Sequence, residues 1–489
     1  MNLGTSLHWV STKMEDKVCL IEDSQEVTYS QLWKNIETLA KAFLKIGVKE
    51  NDKVVIILPN CKEFIYSFYS LARINAISVP LNTYITSYEL DKIFKDCNPK
   101  AVITTYDLYK KKIAPVVNKD ILIILSDEPS EPVRGGMFEL KELLVKCGAG
   151  KLPRFSASND QTATINYTYR GLGYALGAML THGNYHYGAI AYIRLTEIMT
   201  KHKVLLITPM SHIFTLISGV IVSLLRGATI VIIKGFIPSH VFKTIEEHKI
   251  DFMIAVPTIY ISFLRNYEKG RFDISSLKYG ITGGSYMSVD MHEKIKKEMG
   301  IELFQGYGLT ETVPVTCNPR SWNKPESLGV PGRNMKVEIA DENGKIVLRG
   351  IKGEIVVGGP SVMKGYYNRD NENKRFIKNN WFHTGDYGWI DKDGYVYFDS
   401  LKKNIIKVGG NNVDLNEVKG VLELFPGVKN VRLDVVEDEL WGHRIYAETV
   451  VSSDKDITEK EIKTFCSQRL AIYKIPKKIS ISVSQEGGN

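Results

Sequence analysis

Residues 167–185, YTYRGLGYALGAMLTHGNY, have the composition of a loop that holds phosphate. Gly171, Gly173 and Gly177 lie close together, with Thr168 before them and Thr181, His182 and Asn184 after them. Glycines let backbone N–H groups come close to an anion, and a lysine usually adds its charge. Here the one fixed cation within the stretch is Arg170, ahead of the glycines and beside Tyr169. Leu176 stands where a lysine would help. The pattern predicts a loop that either still serves a nucleotide or keeps only the shape.

Three other stretches carry chemistry-bearing residues. GYGLTET, 306–312, follows an apolar run, IELFQ. Gly306 and Gly308 admit a ligand to the backbone. Thr310 offers a hydroxyl and Glu311 a carboxylate, which together suit a magnesium–phosphate group. A strand-to-loop turn capping a helix has the same pattern. HTGDYGWIDKDG, from residue 383, sets Asp386 after a glycine, where a carboxylate either accepts the hydroxyls of a ribose or serves a turn. KVGGNNVDLNEV, 407–418, reads as a strand, the glycine pair Gly409–Gly410, and a helix capped by Asp414 or Asn416. That pair is either a turn or a backbone edge that meets a ligand. His212, in PMSHIFT, sits among apolar neighbours, where a lone histidine is usually structural.

Elements must position these groups. The spacing of Leu32, Ile36, Leu39 and Phe43 predicts a helix over 28–46, opened by Thr28 or Ser30 and closed by Gly47. Strands are expected at 52–60, 76–81 and 100–105, with helices at 62–74 and 87–96 between them. The same alternation returns at 203–257, which argues for α/β layers with largely parallel strands. After about 325 the runs shorten between Gly, Asp and Asn turns, so a β-rich segment is expected. A small α+β module follows a charged turn near Lys402. The expected division is 1–400 and 401–489.

The chain has 489 residues and a net charge of +8, from 63 Lys and Arg against 55 Asp and Glu. The excess suits an anionic small ligand but is spread thinly. No arginine-rich arm or finger spacing points to nucleic acid. Six cysteines lie far apart without a CxxC pair, so reduced, packed thiols in a cytoplasmic protein are expected. The N-terminus lacks the apolar core of a signal peptide. The apolar run 216–225 is too short to span a bilayer.

The stretches occur together and in order. VTYSQL (27–32), PMSHIF, VPTIY (256–260), ITGGSYMS (281–288), GYGLTET, GVPGR (329–333), GEIVVGGPSVMKGYYN (353–368), WFHTGD, KKNIIKVGGNNVDLNEVK and LAIYKIPKKI (470–479) resemble the motifs of the adenylate-forming superfamily. That superfamily holds acyl-CoA synthetases, adenylation domains and luciferases. The resemblance covers nearly the whole chain. It implies a large N-terminal domain of two α/β subdomains plus a β-barrel-like part, and a small mobile α+β C-terminal domain. It implies two half-reactions: a carboxylic acid and ATP give acyl-AMP and pyrophosphate, then a thiol of coenzyme A or of an acyl carrier protein's phosphopantetheine takes the acyl group. By resemblance, Gly283, Gly284 and Ser285 line the adenine and acyl pocket and Tyr307 stacks near adenine. Thr310 touches phosphate, Glu311 holds Mg²⁺, Asp386 binds ribose and His212 lies beside the acyl carboxyl. Lys403 sits at the hinge, and Gly409–Gly410 on the thiol-side loop.

The chain departs from the family pattern Y-T-S-G-T-T-G-x-P-K-G. Ser becomes Tyr169, Gly becomes Arg170, the threonines become Gly171 and Leu172, Pro becomes Ala175 and Lys becomes Leu176. The expected Gly-Arg before the hinge is Ser400–Leu401, and no late Gly-Lys follows YKIPKK, which truncation would also explain. Losing one preorganised donor costs about 10²–10³ in rate, so several losses predict impaired ATP-driven adenylation. The expected function is a divergent acyl-CoA or acyl-carrier-protein synthetase that favours thioester formation. An acyl- or nucleotide-binding pseudoenzyme and a nucleotide-independent acyl transferase are the alternatives. Ile213, Phe214 and Leu216 with Gly283–Gly284 allow a hydrophobic acyl or aryl carboxylate. Oligomeric state leaves no mark in the sequence.

Overall fold

A computed structural model describes residues 3–131, 135–146, 152–153, 155–312, 314–400, 404–452 and 457–483. The helix Tyr29–Lys45 forms where the apolar spacing predicts it. Thr28 caps it, with Gln31 completing a reciprocal capping box. Leu32, Ile36, Leu39 and Phe43 are each no more than 1% exposed, so each contributes about 1.5–3 kcal/mol of burial.

Two large sheets carry the first part of the chain. An eight-stranded sheet runs parallel through Ile77–Pro80, Lys53–Ile57, Ala101–Thr104, Leu122–Leu125 and Met137–Glu139. Its other side is an antiparallel hairpin, Thr162–Tyr169 and Ala175–Thr181, with Gly365–Tyr366 beyond it. A nine-stranded sheet is parallel through Val18–Glu22, Thr229–Ile232, Lys203–Leu206, Phe252–Ala255, Tyr279–Thr282 and Glu302–Tyr307. The largest apolar cluster packs between these sheets and joins residues of both.

The β-rich expectation after 325 also holds. Lys336–Ala340, Gly353–Gly358, Trp381–Ile390, Ile377–Lys378 and Val396–Ser400 form an antiparallel sheet with its own apolar cluster. From Ile405 onward, Ile405–Val408, Asn411–Asp414, Val428–Asp438, Gly442–Val451 and Lys478–Val483 make a fourth sheet. Helices Leu415–Glu423 and Glu459–Ser467 pack on it around Val413, Val418, Leu422 and Ile462. The boundary expected at 400/401 and Lys403, expected at the hinge, lie at or within residues outside the described set.

Some local expectations are corrected. The glycine-rich stretch is a β-hairpin whose turn spans 170–174, because TATINYTY and ALGAMLT pair in register from Thr162↔Thr181 to Tyr169↔Ala175. Gly171 and Gly173 supply the positive φ angles, 75° and 81°, that the turn needs. Asp386 belongs to the strand Trp381–Ile390 rather than to a loop. Gly306 and Tyr307 end a strand. The segment after Phe214 is helical but opens with a wide π-helical stretch, Thr215–Ile221. Asp414, not Asn416, caps Leu415–Glu423, accepting from the Asn416 N–H. Cys19, Cys61, Cys97, Cys317 and Cys466 are buried free thiols; Cys147 lies outside the described residues. Among the described residues no helix is long and apolar enough to cross a membrane.

Candidate active site

A cavity of about 870 Å³ opens where the parallel strands Tyr279–Thr282 and Glu302–Tyr307 end, the usual ligand position in an open α/β sheet. Gly284, Ser285, Gly306, Tyr307, Gly308, Thr310, Asp386 and His212 all line it, as do Tyr169, Arg170 and Gly410. Gly283 stands just behind: a Cβ there would meet the Phe214 ring at 3.0 Å. The sequence-predicted residues named here therefore converge, although they come from six separate stretches.

Asp386 and Tyr307 are joined. The Tyr307 hydroxyl donates to Asp386 Oδ2 at 2.6 Å, which orients the carboxylate and leaves Oδ1 for a ligand. Burial raises the Asp386 pKa, while Tyr307 and then Arg170 and Lys407 act against that rise. Tyr307, expected beside adenine, lines the cavity, and its hydroxyl also fixes the carboxylate expected to meet ribose. His212 Nε2 lies 3.3 Å from Asn411 Oδ1 of the C-terminal sheet. Burial, and then the Lys407 charge, lower the His212 pKa below its ordinary value, which keeps the ring neutral near pH 7.

Lys407, Asn412 and Tyr366 were not singled out from the sequence. Lys407 lines the cavity, half-buried, and burial lowers its pKa against the pull of Asp386 and Glu311. Period-two alternation carries the signal: Ile406 and Val408 face the small core, so Lys407 must face the other way. Gly410 has φ +81°, and a Cβ there would sit 2.8 Å from Val256 Cγ1. Its glycine identity lets the turn at Gly409–Gly410 press against Val256.

The degenerate loop is occupied by the protein itself. Gly173 N–H donates to a carboxylate oxygen of Asp414 at 2.8 Å, and Asn416 Nδ2 donates to the Gly171 carbonyl at 2.9 Å. The Tyr169 hydroxyl donates to Glu417 Oε1 at 2.7 Å. Lys474 Nζ lies 2.6 Å from Glu89 and 2.8 Å from Glu417, with only 2% of its side chain exposed. Gly177 serves packing, since a Cβ there would meet Ile165 Cγ2 at 2.6 Å. Leu176 is fully buried in the main apolar cluster, so no polar group replaces the absent lysine there. Thr168 lines a smaller cavity of about 120 Å³, together with Thr310 and His212.

Glu311 does not fit the metal role that the resemblance implies. It is 1% exposed, does not line the cavity, and accepts the Tyr366 hydroxyl at 2.6 Å. Arg170 Nε stands 3.7 Å away as its counter-charge, an attraction of about 4 kcal/mol at an effective dielectric of 20. Burial opposes the Arg170 charge, but Glu311 first, then Tyr366 and Asp386, raise its pKa and keep it protonated. A cation on Glu311 would face an existing positive charge. Among the described residues, no group of three or more His, Cys, Asp or Glu forms a metal cluster.

Two α/β sheets, a β-rich part, a small C-terminal sheet and a cavity at their meeting define the architecture of adenylate-forming enzymes. Residues 7–367 match the AMP-binding enzyme family, and the chain belongs to that family. It is acyl-CoA ligase-like, and its relatives are acid–thiol ligases. It is 31% identical to the long-chain-fatty-acid–CoA ligase FadD13 of Mycobacterium tuberculosis over 98% of this chain and 94% of that one. It is 28% identical to a long-chain-fatty-acid–CoA ligase of Bacillus subtilis over 96% of this chain and 88% of that one. Among solved structures, o-succinylbenzoate CoA synthetase of Bacillus subtilis, a double mutant bound with a product analogue, superposes with TM-score 0.85 at 26% identity. That match covers 98% of this chain and 94% of the other. A Mycobacterium tuberculosis fatty acyl CoA synthetase superposes with TM-score 0.74 at 29% identity and the same coverage.

Proposed function

We propose that this protein is a divergent acid–thiol ligase that forms a thioester from an acyl-adenylate, with ATP-driven adenylation impaired. The acyl source is a carboxylic acid, and the acceptor is the thiol of coenzyme A or of a carrier protein's phosphopantetheine. One observation carries this reading. The backbone N–H that a phosphate loop would offer to a triphosphate, Gly173 N–H, is bound by the Asp414 carboxylate. Meanwhile Asp386, Thr310, Lys407 and Gly410 stay on the cavity.

Electrostatics supports the same division. The outer phosphates of ATP would meet the Asp414 carboxylate where the family pattern has a lysine and two hydroxyls. A monophosphate ester meets Lys407 and Thr310 instead. In the thioester step the thiol sulfur bonds to the acyl carbon, and the acyl–phosphate C–O bond breaks. AMP leaves with the electron pair. Neutral His212 is the base that takes the thiol proton. Asp386, held by Tyr307, anchors the ribose, and Gly409–Gly410 on the C-terminal sheet guide the thiol. Apolar Ile213, Phe214 and Ile217 on the wall suit a hydrophobic acyl or aryl group.

We place the division between the large and small units at 400/401, with Lys403 at the hinge. The experiment compares ATP–pyrophosphate exchange with thioester formation from synthetic acyl-AMP and coenzyme A. Thioester formation with exchange near background is expected. Robust exchange would restore an ordinary ligase. Binding of acyl-AMP without turnover by any thiol would establish the pseudoenzyme.

A further inference from the structure

Glu311 meets a guanidinium where the family resemblance places Mg²⁺. We propose that Arg170 is the resident cation for the phosphate of a bound adenylate, standing between Glu311 and the cavity in place of a divalent ion. The inference rests on the adenylate reading above and assigns this chain's own phosphate-binding residue.

Arg170 is built in rather than draped on a surface. Its side chain is 9% exposed. Nη2 donates to the carbonyls of His383 and Thr384, at 3.0 and 2.7 Å, on the strand that carries Asp386. One strand thus fixes both the ribose carboxylate and the guanidinium. The plane is held further by the rings of Phe376 and Phe382, whose centroids lie 4.9 and 5.2 Å from Cζ. Nε is sealed from solvent with no hydrogen-bond partner and faces Glu311.

These contacts leave Nη1 to meet a ligand. Arg170 lines the cavity beside Thr310, whereas Glu311 does not. A guanidinium presents N–H donors with a geometry matched to phosphate oxygens, and its charge does not titrate near neutral pH. It supplies one fixed positive charge where a magnesium ion supplies two. That is adequate for a monophosphate ester and poor for a triphosphate. The substitution of glycine by arginine and the loss of the loop lysine are then parts of one change.

Calorimetry with AMP and adenosine tests this, since the two differ only by the phosphate. In the wild-type protein, AMP should bind more tightly than adenosine, with or without Mg²⁺. Arg170→Gln should weaken AMP by about 10–100-fold, the worth of a hydrogen bond to a charged group, and leave adenosine unchanged. Unchanged adenosine affinity also shows that the variant is folded. Arg170→Lys should recover part of the loss. Mn²⁺ titration followed by electron paramagnetic resonance should find no tight site in the wild-type protein. Tight Mn²⁺ binding that AMP requires would overturn the proposal, as would equal weakening of AMP and adenosine in Arg170→Gln. If wild-type protein bound adenosine and AMP equally, Arg170 would lose its role while the nucleotide site stood. If it bound neither, the adenylate reading would fall as well.

Discussion

Replacing Lys474 by methionine removes a cation held between Glu89 and Glu417. The ammonium lies 2.6 and 2.8 Å from the two carboxylates and 4.1 Å from the centre of the Tyr169 ring. The carboxylate side chains are each 7% exposed, so water cannot take the lysine's place. Burial already raises the Glu417 pKa, with Lys474 the largest influence against it. Breaking a buried pair in this way costs about 3–5 kcal/mol. Urea unfolding followed by circular dichroism, read on its first transition, measures the loss. Adding Glu417→Gln or Glu89→Gln to Lys474→Met should return part of it, with a coupling of about 1–3 kcal/mol. The cluster ties the C-terminal unit to the first α/β sheet, so the variant should also slow thioester formation. A loss below about 1 kcal/mol without coupling, the behaviour of a surface pair, would refute the reasoning.

Three further outcomes follow from single side chains. Gly410→Ala forces φ +81° on a residue with a Cβ 2.8 Å from Val256 Cγ1, a strain of at least about 1–2 kcal/mol. Thioester formation should fall about tenfold, and Val256→Ala should restore part of it. Asp386→Asn should weaken adenosine as well as AMP by about tenfold or more, unlike Arg170→Gln, as calorimetry would report. Burial depresses the His182 pKa to about 4 while its Nδ1 accepts the Leu3 N–H at 3.1 Å. Below an unfolded value near 6.5 the unfolded chain binds a proton that the folded one refuses. Stability is therefore lost as pH falls from about 6.5 to about 4, by about 3 kcal/mol in total. His182→Gln should flatten that slope in unfolding experiments across the window.

Much of the architecture was legible because short-range rules and burial agree. The helix at Tyr29–Lys45 shows its spacing and its cap in the letters, and the alternating strands at 53–57, 77–80 and 101–104 show their apolar runs. The convergence of Asp386, Tyr307, Thr310 and Gly410 was legible only through the order of motifs. No local pattern says that residues so far apart in sequence meet. The pairing of the hairpin at 162–181 was not legible because glycines signal a turn and a phosphate loop equally well. The partnership of Arg170 with Glu311 depends on side-chain packing against Phe376 and Phe382, which spacing does not encode. Nothing in the run YKIPKK marks Lys474 as buried. Its burial between two carboxylates is a contact over 385 residues of sequence to Glu89.

Competition between ATP and AMP for the cavity addresses the central claim, that a monophosphate ester is still seated where a triphosphate is no longer held. With Mg²⁺ present, AMP should displace a fluorescent adenosine analogue at a concentration at least about tenfold below that of ATP. ATP binding as tightly as AMP, with release of pyrophosphate in the presence of a carboxylic acid, would contradict it.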